Sequence, residues 1–327
     1  MPICLFRWLL SIATITAIVS SSADSLAQTK GIWMAKAPAP TKRTEVVAAA
    51  VNGKIYVIGG FVRGLTVVSA AVEEYDPATD RWRERASLPS GVHHAGIAVV
   101  NGRLYIVGGF EHSLLTIWNP LTSVYEYDPR ADSWSARKPM PTPRGALAVA
   151  VLDGKVHAVG GYTRDGNTGA HEVYDPATDT WTARAPLPTP RDHHTAAVVA
   201  GHLYAIGGRL NRQYGQNLAV TESYDSPSDR WARKADLPTP RSGITSAVVG
   251  ERIFVFGGEA PSGTFHENEA YHPASDRWES YAPMPTARHG LGSAAVDSRI
   301  YVIAGGPTPG GSFSDANEMF VPPSLHP

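Results

Sequence analysis

Apolar residues along this chain fall in runs of four to eight, each cut off by Gly, Pro, Asp or Asn. That pattern predicts short β-strands rather than amphipathic helices. Between His194 and Lys234, "HTAAVV", "HLYAIGG", "VTESYD" and "DRWARK" follow one another and predict four consecutive strands. In "YDPATDRW", Asp76 and Pro77 stand in the order a type I turn favours and close the third run. The first run of each set is built from small residues: "VVAAAV", "AGIAVV", "ALAVAV", "ITSAVV". Strands crowded around a central axis require such side chains.

The four-run unit repeats six times. Trp33, Trp82, Trp134, Trp181, Trp231 and Trp278 are separated by 49, 52, 47, 50 and 47 residues. Counting 26 residues forward from each reaches Gly59, Gly108, Gly160, Gly207, Gly257 and Ala304. The first five open a Gly-Gly pair; a tyrosine (Tyr75, Tyr127, Tyr174, Tyr224, Tyr271) stands seven residues before the next tryptophan. All variation in length therefore lies between the glycine position and that tryptophan.

"GKIYVIGG" with "VEEYDPATDRW", double glycine, spaced Tyr and Trp, and a preceding P-x-P-R together resemble the kelch repeat. The resemblance covers essentially all of residues 28–327. It implies an all-β fold: a six-bladed kelch β-propeller of four-stranded antiparallel blades. Phe320 takes the tyrosine position of the sixth unit, whose tryptophan would fall at 327, where Pro327 stands. Trp33 has no preceding unit, so "IWMAKAP" is expected to supply the outer strand of the last blade and close the ring, removing an exposed edge.

Composition narrows the function classes. Net charge is −1, which argues against a nucleic-acid surface. Arg7 followed by thirteen apolar residues, Trp8 to Ser20, is too short to span a membrane. Residues 1–27 are expected to be a signal peptide cleaved before Gln28, with a periplasmic or secreted destination and no membrane insertion afterwards. Cys4 is the sole cysteine, so the mature chain would hold none and rely on packing.

The repeats also separate scaffold from site. Arg43, Arg144, Arg191, Arg241 and Arg288 recur sixteen residues before the glycine position; only Val92 departs. They are expected to be structural, hydrogen-bonding between blades. Asp80, Asp132, Asp179, Asp229 and Asp276 read as turn residues, and His157 as a packed substitute for a second-strand aromatic. Just after the arginine position the units diverge: Thr44-Glu45, His93-His94, Gly145-Ala146, Asp192-His193, Ser242-Gly243, His289-Gly290. In an up-and-down blade these positions share a face with the length-variable loops. His93, His94, Asp192 and His193, with Phe61, Arg63, Phe110, Tyr162, Arg209 and Arg212 on those loops, are therefore the candidate ligand-binding residues. Replacing Asp192 and His193 together is expected to spare stability. Histidine and aspartate suit zinc or copper, but blades two and four are not neighbours, so no metal and no cofactor is expected.

The resemblance implies a non-enzymatic recognition module, expected to be monomeric, holding a protein segment or a glycan on one face. The alternative is a carbohydrate-active enzyme similar to sialic-acid epimerases, with Glu45, His94, Asp192 and His193 as acid/base groups. Copper chemistry of the galactose-oxidase type needs a tyrosine–cysteine link, which a mature chain without cysteine disfavours.

Overall fold

The computed structural model describes residues 30–63, 67–113 and 116–323; the expected signal peptide lies outside the described residues. Six four-stranded antiparallel sheets form the blades, and four of the loops that follow the glycines add a short two-stranded ribbon. Blade one comprises Val47–Val51, Lys54–Ile58, Val72–Asp76 and Arg81–Arg85, and blades two to five repeat that order. Blade six takes Gly292–Val296, Arg299–Ile303 and Asn317–Val321 from one end of the chain and Ile32–Ala35 from the other. Trp33 pairs with Phe320 there, as expected, with ring centroids 5.0 Å apart at 39°. The Tyr75–Trp82 pair inside blade one stands at 5.0 Å and 40°, so the junction reproduces the geometry of a continuous blade.

A single sheet has two faces and no core, so the apolar surface is buried between successive blades. One such contact joins Tyr56 to Tyr127, and its counterparts join Tyr105 to Tyr174, His157 to Tyr224, Tyr204 to Tyr271, Phe254 to Phe320 and Tyr301 to Tyr75. The last of these returns to the first blade.

At the outer edge each blade clasps one residue of the preceding blade by both backbone groups. Trp82 Nε1 donates to the Ala37 carbonyl (2.9 Å), while the Ala37 N–H donates to Asp80 (2.9 Å). Trp134 and Asp132 hold Ala86 in this way, Trp181 and Asp179 hold Lys138, Trp231 and Asp229 hold Ala185, and Trp278 and Asp276 hold Ala235. The aspartates are therefore more than turn residues. Each also accepts the hydroxyl of its blade's tyrosine, as Asp80 does from Tyr75 at 2.6 Å. Blade six lacks both groups, having Phe320 and Gly31. There the Lys30 carbonyl accepts the Ala282 N–H while Trp33 Nε1 donates to the Ala282 carbonyl.

The recurring arginines are fully buried, but their side-chain bonds lie within their own blades, not between blades as expected; only their backbone groups reach the neighbouring blade, as the Arg191 carbonyl accepts the Gly161 N–H. Arg191 donates to Glu222 (2.5 Å) and to the Ala205 carbonyl (2.9 Å). Arg43–Glu73, Arg144–Glu172, Arg241–Glu269 and Arg288–Glu318 repeat the pair. In blade two both partners change together, to Val92 and Tyr125.

The physical reason is desolvation: a buried guanidinium persists only beside a buried carboxylate, and losing one partner strands the other. Arg191→Ala should therefore lower stability by about 3–5 kcal/mol. Arg191→Val with Glu222→Tyr, copying blade two, should recover most of that loss. Urea unfolding of both variants checks this, and a double variant no more stable than the single one would refute the pairing.

His157 and His171 form a second buried pair, Nδ1 to Nε2 at 2.9 Å, and His171 Nδ1 donates to the Ala185 carbonyl. Burial, reinforced by His171, lowers His157 to about 3, and burial lowers His171 to about 4. Below the ordinary histidine value the unfolded chain takes up protons that the folded chain refuses. Stability is thus lost as pH falls from about 6.5 towards 4, at about 1.4 kcal/mol per pH unit for each group. His157→Tyr with His171→Asn, the residues of blade six, should flatten this acid limb by those two contributions. Urea midpoints measured from pH 7 to 4 test it; an unchanged limb would contradict the assignment.

Candidate functional site

Three residues before each first strand stands one that bridges the loop after its blade's glycines: Thr44 to Phe61, His93 to Phe110, Gly145 to Tyr162, Asp192 to Arg209, Ser242 to Glu259 and His289 to Gly306. The next residue always has left-handed backbone: Glu45 (φ 54), His94 (52), Ala146 (51), His193 (53), Gly243 (67) and Gly290 (59). These six residues form a belt. The N–H of Ala146 donates to the His94 carbonyl (2.8 Å), His193 to Ala146, Gly243 to His193 and Gly290 to Gly243, while His94 donates to Glu45 at 3.3 Å. Val46 N–H closes the circle on the Gly290 carbonyl (3.3 Å). Below the belt the small first strands line a channel of about 350 Å³.

Glycine fits a left-handed position without strain, and other residues pay about 1–2 kcal/mol for it. Glu45, His94 and His193 nevertheless occupy it, and they meet at the mouth. His94 Nε2 lies 3.0 Å from Glu45 Oε2, and the His94 and His193 rings are 4.7 Å apart. Blades two and four therefore do reach each other. The intervening Ala146 is small, and so narrow a ring leaves no gap to separate them, which removes the sequence argument against a shared site.

The remaining candidates divide by burial. Phe61 and Phe110 are 0 % exposed and support His93 from beneath at centroid distances of 4.1 and 5.6 Å, so they do not meet a ligand directly. His93 is itself buried; its Nε2 donates to the Ile117 carbonyl (2.7 Å), and its Nδ1 meets His94 Nδ1 (2.6 Å). Arg209 is committed internally, to Glu259 at 2.6 Å and Asp192 at 3.5 Å. The side chain of Arg63 lies outside the described residues.

Asp192 is 0 % exposed rather than a free rim carboxylate. It accepts from His193 Nδ1 (2.5 Å), Asn167 Nδ2 (2.6 Å) and the Arg212 N–H (3.0 Å). Replacing Asp192 and His193 together would strand the Asn167 Nδ2 and Arg212 N–H donors and should therefore lower stability, contrary to the expectation from repeat variation. Despite burial, His193 and Arg209 hold its carboxyl down at about 2. Burial would raise the Glu45 carboxyl, but His94, with His289 and His193, keeps it well below the usual carboxylate range. Burial and the Arg209 charge together lower His193 to about 4.

Arg212 and Tyr162 are the candidates left half-buried. The Arg212 guanidinium lies between Trp118 (4.6 Å) and Tyr162 (4.5 Å), and its Nε is buried without a hydrogen-bond partner. Among the described residues no carboxylate pairs with it. Sequence reasoning missed the part played by His289 and Glu259. His289 Nε2 lies 3.5 Å from Glu45 and 3.7 Å from Glu259, placing both in the same mouth. The available signal was positional, since they occupy the repeat columns of Asp192 and Arg209.

Fold and mouth together define a closed six-bladed propeller with a ring of titratable groups at one end of its channel. The KLHDC2/KLHL20/DRC7 Kelch-repeats domain matches residues 147–321 and the Kelch motif matches 42–89 and 92–141, so the chain belongs to the kelch-repeat family. It is 29% identical over 136 residues to Kelch-like protein 35 of Mus musculus, covering 42% of this chain and 22% of that protein. It is 51% identical over 45 residues to Kelch-like protein 4 of Homo sapiens, 14% of this chain and 6% of that one. The matched stretches thus span less than a quarter of either relative. Among solved structures, that of YjhT superposes with a TM-score of 0.74 at 17% identity, over 86% of this chain and 95% of the other, a likeness of fold.

Proposed function

We propose that this propeller is an exported, non-enzymatic recognition module whose mouth face holds a carboxylate-bearing ligand, either a protein segment or a glycan. Kelch propellers generally mediate protein–protein interaction, which supports a binding role. The observation that carries the reading is Arg212, held between Trp118 and Tyr162 with no carboxylate paired to its guanidinium among the described residues. Aromatic stacking fixes the guanidinium before a ligand arrives and leaves its donor edge for a planar carboxylate. The aromatic faces beside it suit a sugar ring or a peptide side chain equally.

Screening the mature protein on glycan and peptide arrays identifies the ligand. Arg212→Ala and Trp118→Ala should each weaken its binding about 10–100-fold, in line with loss of an anchor residue, while the melting temperature changes little. Full binding by Arg212→Ala would sink this reading.

A second reading follows from the convergence of Glu45, His94, Asp192 and His193 in one mouth. A carboxylate and an imidazole 3.0 Å apart can pass a proton to and from a sugar ring oxygen. For an epimerase, NMR should show anomer exchange of N-acetylneuraminate accelerated by the protein and lost in Glu45→Gln. Exchange at the buffer rate would eliminate it.

A further inference from the structure

The hydrogen-bond partners of the mouth histidines fix where their protons sit. A carbonyl can only accept, so His93 Nε2 donates to Ile117 and its Nδ1 is left as an acceptor. His94 then donates from Nδ1 to His93 Nδ1, and its Nε2 stands 3.0 Å from Glu45 Oε2, where it donates when protonated and offers a lone pair when neutral. His193 donates from Nδ1 to Asp192, and its Nε2 has no partner although the side chain is only 1% exposed. His289 donates from Nδ1 to the Gly306 carbonyl, so its Nε2 faces Glu45 and Glu259. Two imidazole Nε2 atoms, of His94 and His289, thus face carboxylate oxygens, and the third, of His193, is buried with no partner at all.

Charge leads to the same place. Glu45, Asp192 and Glu259 bring three carboxylates to the mouth; Arg209 reaches Glu259 at 2.6 Å and Asp192 at 3.5 Å, which leaves Glu45 with histidine neighbours only. Space has been left as well: a Cβ on Gly290 would come within 2.6 Å of Glu45 Cδ, so only glycine allows that carboxylate to lie across the belt.

We propose that Glu45, His94 and His193 bind a divalent transition-metal ion of the zinc class at the channel mouth. A donor atom from each lies within 4.8 Å of the others. The 3.0 Å between His94 Nε2 and Glu45 Oε2 lies within a few tenths of an ångström of the edge of about 3.3 Å that two donors span when each sits about 2.0–2.1 Å from one tetrahedral ion. Glu45, the least buried of the three, closes the remaining distance to His193 by rotating its carboxylate. Two imidazoles and one carboxylate are a borderline donor set that suits zinc and leaves a coordination position open to the channel. Asp192 behind His193 and His93 behind His94 supply the outer hydrogen bonds that hold metal-ligating imidazoles in the required tautomer. Glu259 is tied to Arg209 and to the Gly310 N–H, so it and His289 shape the field around the ion without displacing these ligands. The ion site does not depend on the ligand proposed for Arg212.

The test is calorimetric titration of the chelator-treated full chain with zinc chloride, followed by cobalt substitution. One ion per chain is expected, with a zinc-dependent rise in melting temperature. His94→Ala and His193→Ala should each lower affinity by about 100-fold or more, and Asp192→Asn by about 10–100-fold. His202→Ala, at the hairpin on the opposite face, should leave affinity unchanged. Absence of zinc uptake by the wild type, or unchanged affinity in both alanine variants, would overturn the proposal. If those variants fail to fold, the wild-type cobalt spectrum decides: intense bands of a four- or five-coordinate ion uphold the site, and a weak six-coordinate spectrum refutes it.

Discussion

Everything in this molecule depends on each blade gripping its predecessor, because a lone four-stranded sheet cannot cover its own faces. The grip has two radii. At the outside, an indole N–H and a carboxylate hold the carbonyl and the N–H of one residue in the preceding blade. At the axis, successive left-handed residues pass a backbone hydrogen bond from blade to blade. Aromatic rings fill the space between those two lines of bonds, and burying each is worth about 1.5–3 kcal/mol. A closed ring satisfies these bonds in every blade, whereas an open one would leave an apolar face and a set of polar groups bare at each end.

This explains the uneven conservation of chemistry between copies within the chain. Positions that join blades repeat: tryptophan, its aspartate and the small first strand. The arginine–glutamate pairs repeat for a different reason, since they brace the start of the first strand against the second and third strands of the same blade. Only a complete pair is tolerable in a dry interior, so blade two, which gives up the arginine, gives up the glutamate with it and carries Val92 and Tyr125. That same blade presents His93 and His94.

The belt also turns a structural necessity into a functional opportunity. Its hydrogen bonds use the backbone alone, so the six side chains are free to differ, at the cost of left-handed strain wherever glycine is absent. Small residues in blades three, five and six clear the centre, and Glu45, His94 and His193 fill it. Phe61, Phe110 and His93 form the support beneath. Arg212, stacked on loops that vary most in length, reaches over the same opening.

The sequence by itself determined the number of blades, the strand order within them and the closure by Trp33, because these rest on local spacing repeated six times. It also marked the columns in which function could vary. What only the tertiary structure decided is which of those columns' residues touch. Blade numbering suggested that His94 and His193 were apart, and the small diameter of the belt brings them together. Asp192 resembled a free rim carboxylate, and folding buried it under three donors. The arginines appeared to link blades, yet their partners, the buried glutamates about thirty residues onward, lie in the same sheet. Spacing along a chain reports backbone period, whereas contacts across an axis depend on ring radius and side-chain direction, which no single repeat encodes.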